Sequence, residues 1–213
     1  WRSDGTENGT SQVKDIVPGS TGSFVSGVTA SNLDTTHQSR NKFAIMGDDF
    51  YFQTKMCSTS RCVNLWKSDG TENGTVPITD FEDEDDTTIM TTRIGFVVGE
   101  SKMVFVVDTE EYDEELWITD GTTEGTHLVK DINVDDDGSG GNDGDSEIHS
   151  AIASGDIFYF GATTVGTYNE NKLWKTDGTE EGTITINSTE IYGQHPENIG
   201  QNGWELLRLG DHL

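Results

Sequence analysis

Ten residues recur four times along this chain, and the recurrence limits the fold more than any other feature. The copies are WRSDGTENGT at 1–10, WKSDGTENGT at 66–75, WITDGTTEGT at 117–126 and WKTDGTEEGT at 174–183. They share W-x-[ST]-D-G-T-x-x-G-T, and Leu precedes the tryptophan at 65, 116 and 173. The tryptophans Trp1, Trp66, Trp117 and Trp174 are 65, 51 and 57 residues apart. A period this long implies one supersecondary unit per repeat. Leu-Trp-x-Ser/Thr reads as the end of a strand with an aromatic turned inward. The Asp-Gly steps at Asp4-Gly5, Asp69-Gly70, Asp120-Gly121 and Asp177-Gly178 read as tight turns. Glycine accepts a positive φ there, and the aspartate accepts a hydrogen bond from the backbone two residues on. The aspartates are therefore expected to cap turns, and the tryptophans to pack in the core.

β-rich runs follow at a fixed offset, at Val13–Ile16, Ile78–Phe81 and Val129–Ile132, with Ile186–Thr189 departing from the pattern. Upstream of each internal copy stand two further short apolar runs separated by a turn, such as 148–153 and 157–160 around Gly155-Asp156. Each unit thus reads as four short antiparallel strands, the pattern of a propeller blade. The units run over 24–81, 89–132 and 148–189, and the chain ends, 191–213 plus 1–17, supply two strands each of a fourth. The expectation is a single all-β domain, a four-bladed β-propeller closed by pairing the N- and C-terminal strands. Residues near Leu206 would then share a sheet with Trp1. Closure removes exposed sheet edges; a slice of a longer array is the alternative. The chain opens inside a motif, as a processed or partial sequence would.

The motif resembles the ELWxSDGTxxGT repeats of large secreted and surface proteins, and the repeats cover nearly the whole chain. The resemblance implies a β-propeller-like array and no activity. It is also loosely similar to the Asp-box hairpin of sialidase propellers, S-x-D-x-G-x-x-W. Here Trp precedes Asp, so the likeness is one of turn geometry.

Thirteen basic against 39 acidic residues give a formal charge of −26. Such a field repels nucleic acid and anionic membrane surfaces and attracts cations. No apolar run reaches the length of a transmembrane helix, so no membrane insertion is expected. Cys57 and Cys62 lack the further ligands a zinc site needs, and a small disulfide loop is expected instead, in an oxidising compartment. Three N-x-[ST] sequons, at Asn8, Asn73 and Asn187, agree with an extracellular or cell-surface setting. The first two occupy the same place in the motif loop.

The loop 135–147 offers Asp135, Asp136, Asp137, Asp143, Asp145 and Glu147 among glycines. Carboxylates on a flexible loop can wrap Ca2+, which takes six to eight oxygens, and calcium is the one cofactor expected; a solvated loop is the alternative. Glu82–Asp86 reads as a solvated acidic run. The five histidines are scattered, and no nucleophile or metalloprotease motif is present. No catalytic residue is assigned. The expected function is a non-enzymatic extracellular repeat module of a surface or filament glycoprotein, binding other copies, neighbouring proteins or glycans with calcium. The alternatives are a soluble multivalent propeller lectin and, more weakly, a propeller glycoside hydrolase.

Overall fold

The computed structural model describes residues 1–16, 43–55, 63–80, 89–90, 94–109, 111–134, 145–148, 150–164 and 170–186. Among the described residues, thirteen strands form three antiparallel sheets in chain order. The first holds β1 (Phe43–Met46), β2 (Asp49–Lys55), β3 (Val63–Ser68) and β4 (Val76–Pro77). The second holds β5 (Ile89–Met90), β6 (Val97–Val98), β7 (Met103–Thr109), β8 (Asp113–Thr119) and β9 (His127–Leu128). There β5 and β6 pair with opposite ends of β7, so the layer stays four strands wide. The third holds β10 (Ser150–Ser154), β11 (Ile157–Thr164), β12 (Glu170–Thr176) and β13 (Ile184–Thr185).

The repeat sets the register. In every sheet the motif tryptophan faces an aromatic one strand back: Phe52↔Trp66, Phe105↔Trp117 and Phe160↔Trp174. The first and third sheets open with two-residue hairpins at Gly47 and Gly155, both at φ +62°. Glycine tolerates this conformation without the clash a β-carbon would bring.

Strand alternation sends successive side chains to opposite faces. One core forms where Met46, Tyr51, Leu65 and Ile78 of the first sheet meet Phe96, Met103, Phe105 and Val107 of the second. The other forms where Val104, Val106, Leu116 and Ile118 meet Ile148, Phe158, Phe160, Ala162 and Trp174. The tryptophan face of each sheet thus looks back along the chain, and the opposite face looks forward.

This arrangement corrects the expected closed ring. The described strands make three stacked sheets that do not close into a propeller. No core joins the third sheet to the first among the described residues. The N-terminal motif contributes only an isolated Arg2↔Ser11 bridge, and Trp1 is 82% exposed rather than buried against a partner strand. Leu206 and its neighbours lie outside the described residues, so no pairing of the chain ends supports a fourth blade.

The short fourth strands also fall earlier than expected. The paired residues are Val76–Pro77, His127–Leu128 and Ile184–Thr185, not the runs that follow them. The next amides still turn back onto the preceding strand: Ile78, Val129 and Ile186 N–H donate to the carbonyls of Leu65, Leu116 and Leu173. Ile186 therefore keeps the pattern that its sequence departs from.

No disulfide is present among the described residues; Cys57 and Cys62, where one is expected, lie outside them. No described helix is long and apolar enough to cross a membrane, which says nothing of β-barrels.

Candidate functional site

Every shared position of the motif has a structural task. In the loop after β8, Asp120 Oδ1 accepts from the Thr122 amide at 2.9 Å and from the Thr122 hydroxyl at 2.7 Å. Thr122 Oγ1 in turn accepts from the Gly125 amide at 3.0 Å. The Thr126 hydroxyl donates to the Thr122 carbonyl at 2.6 Å and lies 2.7 Å from the Thr119 hydroxyl. Thr119 Oγ1 accepts from the Gly121 amide, closing the loop. The loops at Asp4, Asp69 and Asp177 repeat this network. The first glycine of each, Gly5, Gly70, Gly121 and Gly178, has φ between +84° and +94°. The aspartates are turn caps, as expected from the sequence. The threonine hydroxyl above all, with its amide, holds the carboxylates of Asp4, Asp69, Asp120 and Asp177 below the usual aspartate range.

The loops also join consecutive units. Lys67 Nζ donates to the Gly121 carbonyl at 2.8 Å, and the Tyr51 hydroxyl fills the space beside Gly121. Lys102 Nζ donates to the Asp177 carbonyl at 3.0 Å, and a ring nitrogen of His127 lies 3.2 Å from the Gly178 carbonyl. Lys14 Nζ donates to the Thr75 carbonyl at 2.7 Å and sits 5.8 Å from the centre of the Trp66 ring. Asp156, in the β10–β11 turn, accepts from the Ser101 amide, the Ser101 hydroxyl and the Lys102 amide of the second sheet. The basic residue directly after the tryptophan recurs in the sequence as Arg2, Lys67 and Lys175, and that recurrence was the readable signal for the Lys67 contact; no such signal marked Lys14, Lys102, His127 or Asp156.

Trp66 and Trp174 are buried and Trp117 is partly buried, as core packing requires. The backward face of the first sheet is different. Phe43, Ile45 and Phe50 are 48%, 69% and 41% exposed. Phe43 stacks on Phe50 and Phe50 on Phe52, each pair with centroids 5.6 Å apart. In the other sheets Met103 and Phe158 take the place of Phe50 and are fully buried. Among the described residues this stack is therefore exposed, at Phe43 and Phe50, in the first sheet alone.

The most deeply buried acid among the described residues is Glu115. It lies on β8 and has no exposed surface. Its Oε1 accepts from the amides of Ile132 at 3.2 Å and Asn133 at 3.3 Å and from the Ser146 hydroxyl. Its Oε2 is buried without a hydrogen-bond partner. Burial pushes the carboxyl up to about 8 against those hydrogen bonds. A raised acid in a cleft is a functional candidate. This one is closed to substrate, and its task is to tie the 132–133 and 146 segments to β8.

Of the expected calcium ligands, Asp145 and Glu147 are described and Asp135, Asp136, Asp137 and Asp143 lie outside the described residues. Asp145 Oδ1 accepts from the Glu114 amide at 3.1 Å, and Glu147 Oε2 accepts from the Thr163 hydroxyl at 3.3 Å. Both carboxylates thus serve the fold. No group of three or more His, Cys, Asp or Glu among the described residues is arranged to hold a metal ion. Asn8 and Asn73 lie exposed on their loops; Asn187 and the run 82–86 fall outside the described residues.

No family model matches the chain, and no curated protein matches it. Among solved structures, a thermostable family-43 glycoside hydrolase is similar at 12% identity and a TM-score of 0.38, over 73% of this chain and 55% of that one. The chain therefore spans about half the length of that enzyme. The likeness is a loose one, between all-β multi-sheet folds. A likeness this distant assigns no reaction to the chain and excludes none.

Proposed function

We propose that the chain is a carbohydrate-binding repeat module of an extracellular or cell-surface protein. The observation that carries this reading is the exposed pair Phe43 and Phe50, stacked on buried Phe52, with exposed Ile45 beside them. Solvent-facing aromatic and apolar groups in one contiguous patch mark an interaction surface. Aromatic faces stack on the C–H faces of sugar rings, and Asp48 at the adjoining turn offers acceptors for hydroxyls. The formal charge of −26 disfavours anionic polysaccharides and favours neutral ones. The resemblance to secreted surface repeats supports the setting, and calcium bound outside the described strands is compatible with it.

Titration calorimetry against neutral oligosaccharides, cello- and chito-oligomers among them, tests the reading. Binding is expected, with Phe50→Ala weakening it at least tenfold at unchanged melting temperature. Absence of binding to every neutral glycan on an array, with and without calcium, would overturn it.

A further inference from the structure

The junctions between successive motif loops follow one rule: the residue directly after the tryptophan reaches the motif glycine of the next unit. Arg2 Nη1 donates to the Gly70 carbonyl at 3.4 Å. Lys67 Nζ donates to the Gly121 carbonyl at 2.8 Å. Ile118 Cδ1 stands 2.6 Å from where a β-carbon on Gly178 would lie. Two members of this series are left over. Gly5 is exposed, and no donor from another unit reaches its carbonyl among the described residues. Lys175, directly after Trp174, has no hydrogen-bond partner among the described residues.

The surroundings of Lys175 repeat those of Lys67. In the first sheet Tyr51 is the cross-strand neighbour of Lys67, and together they close on Gly121. In the third sheet Tyr159 is the cross-strand neighbour of Lys175, on the face that looks away from the second sheet. Exposed Ile184 lies opposite Lys175, and exposed Ile157 lies on β11 two residues from Tyr159. The last sheet thus carries the same Tyr–Lys pair that grips a motif glycine elsewhere in the chain. At the other end, the first motif offers the glycine and an exposed tryptophan, Trp1.

We propose that the Tyr159–Lys175 face of one copy takes the Asp4–Gly5 loop and Trp1 of a second copy, head to tail. Lys175 Nζ donates to the Gly5 carbonyl, the Tyr159 ring packs beside Gly5, and Trp1 is covered by the incoming sheet. The occupant is a second copy because Tyr159 and Lys175 repeat the Tyr51–Lys67 pair that closes on a motif glycine within the chain. Such a contact is heterologous, so it generates open chains rather than closed dimers. The Trp1 hairpin lies over the β3–β4 half of the first sheet, through Arg2 on Gly70 and Lys14 on Trp66. The phenylalanine ladder stays to one side, and each added copy brings another. The charge of −26 per copy opposes association until salt screens it.

The test mixes equal amounts of 14N and 15N protein in 0.5 M NaCl, couples amines to carboxylates with a zero-length carbodiimide, and reads the cross-linked peptides by mass spectrometry. Lys175–Asp4 or Lys175–Glu7 pairs joining one light and one heavy peptide are expected. Sedimentation velocity should show species that grow with concentration and with salt. Lys175→Glu and, from the opposite surface, Trp1→Ser should each weaken association at least tenfold with the melting temperature unchanged. Lys67→Glu should lower the melting temperature and leave association in place. A protein that stays monomeric at the highest soluble concentration would overturn the proposal. So would Lys175 cross-links confined to light–light and heavy–heavy pairs, which would mean that a segment of the same chain occupies the face, or a Lys175→Glu variant that associates like the parent.

Discussion

The Asp120 carboxylate occupies the space that a β-carbon on Gly125 would need. The same holds for Asp4 and Gly9, Asp69 and Gly74, and Asp177 and Gly182. The second glycine of the motif is therefore required by contact, whereas the first is required by its positive φ. Gly125→Ala forces the carboxylate out of its hydrogen bonds to Thr122 and should cost about 2 kcal/mol or more, as loss of a strained, networked turn does. Glu124→Ala, one residue earlier and exposed, should stay within about 0.5 kcal/mol. Urea unfolding of both variants checks this; equal stabilities would remove the contact argument.

Thr122 makes a separate prediction. Its hydroxyl is the largest cause of the lowered Asp120 carboxyl, with its amide adding to the effect against burial. Thr122→Val deletes the hydroxyl and keeps the amide, so the Asp120 pKa should rise toward the ordinary aspartate value. Thr122→Ser should hold it down. A carboxyl-detected NMR titration reads both, and an unmoved Asp120 in the valine variant would assign the shift elsewhere. The direction also fixes the pH dependence. A depressed carboxyl adds stability above its unfolded pKa and loses it as pH falls through the folded value.

The loop was legible because its constraints are local. Asp120, Gly121, Thr122 and Gly125 satisfy one another within six residues, so their spacing alone states the turn. The burial of Trp66 and Trp174 was legible too, from strand context. Ring closure was not. Sequence symmetry says which units are equivalent and not whether the first meets the last. Phe50 and Phe158 show the difference: the same residue type at the same register is 41% exposed in one sheet and fully buried in the other. What separates them is whether a complete sheet lies behind, a property of the stack rather than of the strand. Glu115 was hidden for a related reason. Its partners Ile132, Asn133 and Ser146 are distant in sequence, and no motif marks them.

Glu115 predicts an opposite pH dependence to that of the loop aspartates. Its folded value of about 8 lies well above the ordinary glutamate value of 4.5, chiefly through burial. Between those values the folded protein holds a proton that the unfolded chain has released. This group's contribution to stability is therefore full below about 4.5, declines as pH rises, and is gone above about 8. The slope can reach about 1.4 kcal/mol per pH unit. Glu115→Gln keeps the acceptor for Ser146 and removes the titration. Urea midpoints at intervals from pH 5 to 9 should fall for the parent and flatten for the variant. Parallel curves would mean that Glu115 stays charged in the fold.

The two exposed sequons carry a prediction about the order of folding and modification. Asn8 and Asn73 lie exposed on motif loops, where Glu124 and Glu181 stand in the other copies. The acceptor amides are accessible, but the threonine of the second sequon is not. Thr75 is buried, its hydroxyl donating to the Thr71 carbonyl at 2.6 Å and lying 2.7 Å from the Ser68 hydroxyl. An N-x-[ST] site is a glycan acceptor when its threonine can be engaged together with the asparagine. The folded loop withholds that hydroxyl, so transfer must precede closure of the loop. Expressed through a eukaryotic secretory pathway, the chain should carry glycans at Asn8 and Asn73, read as aspartate after enzymatic deglycosylation. Offered folded to a purified oligosaccharyltransferase, unglycosylated protein should be modified at Asn73 at least tenfold more slowly than the urea-unfolded chain transferred by dilution. Ser68→Ala frees one partner of Thr75 and should narrow that ratio. Equal rates on folded and unfolded protein would show that the loop opens freely and that the threonine network does not control access.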